Sequence, residues 1–96
     1  MFAIPDLGAM KLSAIANRGV RKDFIDVAFI LREHGLGEML DWYRAKFVGY
    51  DVFPALRSLV YFADAEDEPE PQMLRVVKWS DVKRSICGAV EQLDRQ

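Results

Sequence analysis

The chemistry this sequence can offer is concentrated in five charged side chains. Lys11, Arg18, Lys22, Asp23 and Asp26 are set in a largely apolar run from Asp6 to Leu31. Lys11 and Arg18 lie seven residues apart, two helical turns, so they point the same way. Asp23 and Asp26 lie three apart, which places two like charges on one sector of a helix, where they repel. In a core each carboxylate would also incur a large desolvation cost. A cationic group must therefore face them. Lys11 can neutralise one; Arg18, Lys22 or a bound cation must answer the other. The pattern is compatible with a ligand-facing cluster or with a structural ion-pair network locking two helices together. Asp23 also suits exposure in a helical first turn, where the dipole favours an anion.

Two helices joined at Asn17-Arg18-Gly19 would position these groups. The first is expected to open at Asp6, whose carboxylate can cap free N–H groups, and to close at Gly19 in a left-handed C′ conformation. In the second, Phe24, Ile25, Val27, Ala28, Phe29 and Leu31 cover most of the circumference, which predicts a central, buried helix. Asp23 and Asp26 share the remaining sector with Ile30 beside them. Before this pair, Met1 to Pro5 reads as a short apolar arm, with Pro5 favouring an extended Ile4.

After a break at His34-Gly35-Leu36-Gly37, a third helix is expected from about Glu38 to Phe47, with Met39, Leu40, Tyr43 and Phe47 at core spacing. Gly49-Tyr50-Asp51 reads as a turn. Asp51 can cap a fourth helix with Pro54 in its first turn and Val52, Ala55, Leu56, Leu59 and Val60 on its inner face. Residues 63–72 form an acidic surface loop carrying Asp64, Glu66, Asp67, Glu68 and Glu70; it matches no calcium-loop spacing. A short extended piece near residues 75–78 would lead to a last helix. Ser80 would cap it, Val82, Ile86, Val90 and Leu93 would form its buried face, and Trp79 would pack at its start. The reading is a mainly α protein: one domain over residues 1–96, a compact bundle of about five helices.

Composition narrows the function. Ninety-six residues with 51% hydrophobic and 29% charged side chains make an ordinary globular chain. A net charge of −2 gives no global field toward nucleic acid. No apolar run approaches the ~20 residues that span a bilayer, and no signal-peptide pattern is present. With a single cysteine, Cys87, the expectation is a cytoplasmic protein. His34 and Cys87 are each the only residue of their kind, so no His/Cys metal site and no Cys–His pair can form within one chain. None of Ser13, Ser58, Ser80 and Ser85 lies in a nucleophile elbow, and no Gly-rich phosphate loop occurs. His34 suits a helix C-terminus. Trp42 and Tyr43 read as core and rim residues.

The run Asp6-Leu7-Gly8-Ala9-Met10-Lys11, through Ala14-Ile15 and Arg18-Gly19 to Lys22-Asp23-Phe24-Ile25-Asp26, resembles the C-terminal motifs of AbiEii/AbiGii-type nucleotidyltransferases. These are polymerase-β-like toxins of bacterial toxin–antitoxin and phage-abortive-infection systems. Leu59-Val60-Tyr61-Phe62, Asp64-Ala65-Glu66 with Glu68-Pro69, and Trp79 followed by Val82-Lys83 extend the likeness over nearly the whole chain. The resemblance implies transfer of a nucleotidyl group from an NTP to an acceptor, often RNA. On it, Lys11 would contact the triphosphate or move a proton, with Arg18 and Lys22 as further nucleotide contacts. Asp23 would be the catalytic carboxylate and Asp26 its supporting partner.

The family's metal-binding Gly-Ser followed by Asp has no counterpart here; the sequence contains no Gly-Ser dipeptide. Two-metal chemistry needs carboxylates bridging both ions. The expectation is therefore a truncated relative, inactive alone, with a vestigial Lys11/Asp23/Asp26 set and a role as an interaction or remnant module. It would self-associate or bind a neighbouring-gene partner, an N-terminal half or an antitoxin. A split toxin active only after assembly, with Mg2+ and NTP, is the alternative. An antitoxin- or nucleic-acid-binding module is the third reading, and contact with nucleic acid is left open.

Overall fold

A computed structural model describes residues 3–66 and 78–94. Its elements are α1 (Ile4–Arg18), α2 (Arg21–Ile30), α3 (Leu36–Lys46), α4 (Phe53–Leu59), the single turn α5 (Ala63–Glu66) and α6 (Trp79–Asp94). The protein is thus a bundle of five helices and one extra turn, and no strand occurs among the described residues. The rest of the acidic stretch, and all of the expected extended segment except Lys78, lie outside the described residues.

α1 is the hub, packing against α2, α3 and α4, while α6 closes the bundle over α2, α3 and α4. The core holds Leu12 and Ile15 of α1, Phe24 and Val27 of α2, Met39 of α3, Leu59 of α4, and Val82 and Ile86 of α6, each at most 2% exposed. The heptad-like spacing of the last helix is correct in position: Val90 and Leu93 pack against the same core, half-buried.

Several helix ends differ from expectation. α1 begins at Ile4 rather than Asp6, because Pro5, with its fixed φ and no N–H to lose, fits the first turn. Asp6 makes no capping bond; it sits one turn in and faces Lys46 at 3.6 Å. Ser80 likewise lies inside α6, whose first turn hangs from the Lys78 carbonyl, bonded by Val82 N–H at 3.1 Å. α3 starts two residues earlier than predicted and ends at Lys46. Asp51 is not the N-cap of α4, a position Val52 holds without a side-chain bond; one residue further out, the Asp51 carboxylate accepts the Phe53 N–H at 3.0 Å. The turn before it needs glycine: Gly49 has φ +90°. Val60, expected on the inner face, is 45% exposed because α4 stops at Leu59.

The α1–α2 joint is the most informative departure. Gly19 is extended (φ −74°, ψ 117°), not left-handed. Glycine is required there for space: a Cβ on Gly19 would lie 2.7 Å from the Phe24 ring. Phe24 in turn meets Phe62 at 5.1 Å and Trp79 at 5.9 Å between ring centroids, so the close approach joins α2 to the α4–α5 link and to α6.

Two glycine substitutions should therefore move stability in opposite directions. Gly19→Ala must displace a buried ring and should cost about 1–3 kcal/mol. Gly88→Ala, in the exposed middle of α6 with nothing within 4 Å of the new methyl group, should gain about 0.5–1 kcal/mol. Urea unfolding of both variants measures this; equal effects would show that Phe24 does not depend on the gap at Gly19.

Candidate functional site

Lys11 lies in the middle of α1, one turn before the buried Ile15 and one residue before the buried Leu12. The packing of Phe24 and Ile25 fixes the rotation of α2, and that rotation turns Asp23 and Asp26 toward α1. The result is a bridge: the Lys11 ammonium donates to Asp23 Oδ1 at 3.3 Å and meets Asp26 Oδ2 at 2.9 Å. The side chains of Lys11 and Asp23 are 22% and 15% exposed, and that of Asp26 36%. The hydrogen bond to Asp26 holds the Lys11 pKa above the ordinary lysine range; the attraction of both carboxylates adds to it, against an opposing contribution from burial.

One cation thus serves both carboxylates, where the sequence had called for a second. Arg18 and Lys22 do not join the cluster. Both are exposed, and neither forms an ion pair or hydrogen bond among the described residues. The cluster keeps an excess of one negative charge, with Asp26 at its outer edge.

The set does not fit a two-metal centre. Two carboxylates are present, both already engaged by an ammonium, and no three His, Cys, Asp or Glu among the described residues come together to hold a metal. Nor does it offer a triphosphate a free cation, since the only lysine in the cluster is shared between two acids. What the geometry does best is tie α1 to α2.

α2 is less enclosed than its composition suggested. Phe29 is 45% exposed and, with Ile4, Leu7, Asp26, Ile30 and Glu33, lines an open depression of about 380 Å3 beside Lys11. A larger cleft of about 620 Å3 opens between α2, α3 and α6, with Arg32, His34, Glu38, Ser85 and Gln92 among its polar lining. His34 Nδ1 pairs with Glu38 at 3.1 Å and its ring stands edge-on to Trp42 at 5.0 Å. Ser85 makes no hydrogen bond to His34, so no nucleophile–base pair is formed. Trp42 is half-buried and Tyr43 buried, as expected of core and rim residues.

A second polar cluster had no sequence signal. Arg21 Nε donates to the Ala65 carbonyl at 2.9 Å and its guanidinium lies over the Trp79 ring at 5.0 Å. Lys83 bonds Glu66 at 2.7 Å, which holds the Glu66 carboxyl below the usual range. The buried Trp79 indole N–H adds to that lowering from nearby without reaching hydrogen-bond geometry. The partners are separated by 44 and 17 residues, and nothing in the local pattern of either segment marks the pairing.

Lys11→Met should destabilise the fold by about 2 kcal/mol, between the values for exposed and fully buried pairs. Asp26→Asn, which leaves a one-to-one pair and removes a repulsion, should be close to neutral. Because the folded Lys11 pKa is raised, its contribution is complete below the ordinary lysine value and is lost as pH climbs through the raised one. Thermal unfolding of the native chain should fall in strong alkali more steeply than that of Lys11→Met. Parallel curves would remove Lys11 from the balance.

No protein-family model matches the chain, and no solved structure does. Over 65 residues, 66% of its length, the chain is 43% identical to aq_aa25, an uncharacterized protein of Aquifex aeolicus (strain VF5). The chain spans about a third of that relative's length, 32%.

Proposed function

We propose that these 96 residues are a truncated relative of the AbiEii/AbiGii-type nucleotidyltransferase toxins, inactive alone, in which Lys11, Asp23 and Asp26 survive as scaffold and the working role is interaction with another protein. The observation that carries this reading is the single ammonium held between two carboxylates. The residues that the resemblance assigns to chemistry are spent on each other, and the cations it assigns to the nucleotide, Arg18 and Lys22, stand apart. The Gly-Ser and following Asp that the reaction would need are missing from the sequence. The proposed partner is a second copy or the product of a neighbouring gene, an antitoxin or the half that this chain lacks, and the proposed setting is the bacterial cytoplasm.

The length of the relative favours one alternative. The chain matches a third of a longer protein, so a split toxin, complete only with the remaining part, is the second reading. Mg2+ and NTP would then enter with that part, and an RNA or protein would be the acceptor.

Incubation with labelled NTPs, Mg2+ and candidate acceptors separates the readings. The chain alone should transfer nothing. Transfer that vanishes in Lys11→Met overturns the inactive reading, and transfer that appears only when the neighbouring gene product is added establishes the split one.

A further inference from the structure

Two surfaces of the molecule are apolar, exposed and opposite in charge. The first is the depression beside the Lys11 bridge, where Ile4 and Phe29 are 46% and 45% exposed. Its acids are Asp26 and Glu33; its one lysine is already committed to two carboxylates, so the lining is negative. His34 there is paired with Glu38. Arg32 stacks on Phe29 at 5.1 Å from outside the depression.

The second is the outer side of α4. Phe53 and Arg57 are one turn apart on α4, and Val60 and Tyr61, just past its end, line a shallow hollow together with Pro54 and Arg57. Phe53, Val60 and Tyr61 are 63%, 45% and 59% exposed. Arg57 has no ion-pair partner among the described residues. Asp51, at the start of the helix, is engaged by the Phe53 N–H. The inner side of α4 is already filled by Ala55 and Leu59, so this short helix is apolar on both sides and has only one of them covered.

We infer that the chain binds a second copy of itself head to tail, the aromatic outer face of α4 seated in the acidic depression between α1 and α2. The two surfaces are separate within one chain: the depression has no lining residue from α4, and the hollow on α4 has none from α1 or α2. Symmetric pairing is opposed by charge. Two α4 faces brought together juxtapose two Arg57 guanidiniums, and two depressions juxtapose Asp26 and Glu33 with their copies. The crossed pairing puts Arg57 against the acids and aromatic rings against Ile4 and Phe29. Such a contact is heterologous, so it propagates into a ring or a chain. It does not depend on the nucleotidyltransferase reading.

Sedimentation and light scattering test it, with circular dichroism as the control for folding. The mean mass of the native chain should rise with concentration and fall with added salt. Phe29→Asp spoils the depression and Tyr61→Asp spoils the α4 face; both positions are exposed, and each variant should be a folded monomer. An equimolar mixture of the two should form a one-to-one dimer that grows no further, because one intact face remains on each. Arg57→Glu should weaken association by at least about tenfold in Kd, and Glu33→Arg in the same chain should restore it. A native chain that stays monomeric at every concentration overturns the inference. So does a mixture that stays monomeric while the native chain associates, since that is the behaviour of a symmetric contact.

Discussion

The structure turns on the absence of a side chain at Gly19. The Phe24 ring fills the space a Cβ would take there, and from that seat it reaches Phe62 and Trp79. A ring so placed leaves α2 one azimuth against α1. Asp23 precedes it and Asp26 follows by two, so the seating of an aromatic ring decides where two carboxylates point. The polar bridge is in this sense a product of apolar packing, and Lys11 completes an arrangement that the ring has already set.

Electrostatics then constrain what the cluster can be. One ammonium between two acids leaves a negative remainder at a half-exposed rim. That remainder draws cationic groups and repels polyphosphates. A scaffold role and attraction for a basic surface are compatible with it. Nucleotide binding by these residues alone would need the charge balance to be reversed from elsewhere. On the other side of α2, Arg21, Trp79, Glu66 and Lys83 tie α5 and α6 down, so the helix is held from both flanks by mixed polar and aromatic contacts.

Much of this was legible in the chain itself. Apolar periodicity placed the five helices, and the partnership of Lys11 with Asp23 and Asp26 followed from the cost of leaving paired acids unanswered. One ammonium has enough donors to reach two carboxylates that lie on the same side of it, yet it neutralises only one of them; Arg18 and Lys22, the expected second cations, stay outside the cluster. Helix starts were misplaced where two rules competed: Pro5 prevailed over Asp6, and the chain geometry at Lys78 over Ser80. Gly19 was assigned a left-handed cap, whereas its reason lies five residues ahead, in the ring that covers it. The Arg21 and Lys83 contacts left no trace, since they join segments far apart in sequence and neither partner belongs to a periodic pattern. The exposure of Phe29 was hidden for a related reason: composition around a helix says how much of it is apolar, not which neighbour fails to cover the last sector.

The hub arrangement of α1 has a kinetic side. Its partner α2 follows across the short Gly19-Val20 joint, whereas α3 and α4 close longer stretches of chain onto it, at an entropic cost that grows only slowly with length. α6 returns over the longest separation, to cover Phe24 and Leu59. Until Val82 and Ile86 dock, the seam they seal is the greasiest surface the newly made chain presents, and it is there that a young copy is open to capture by others.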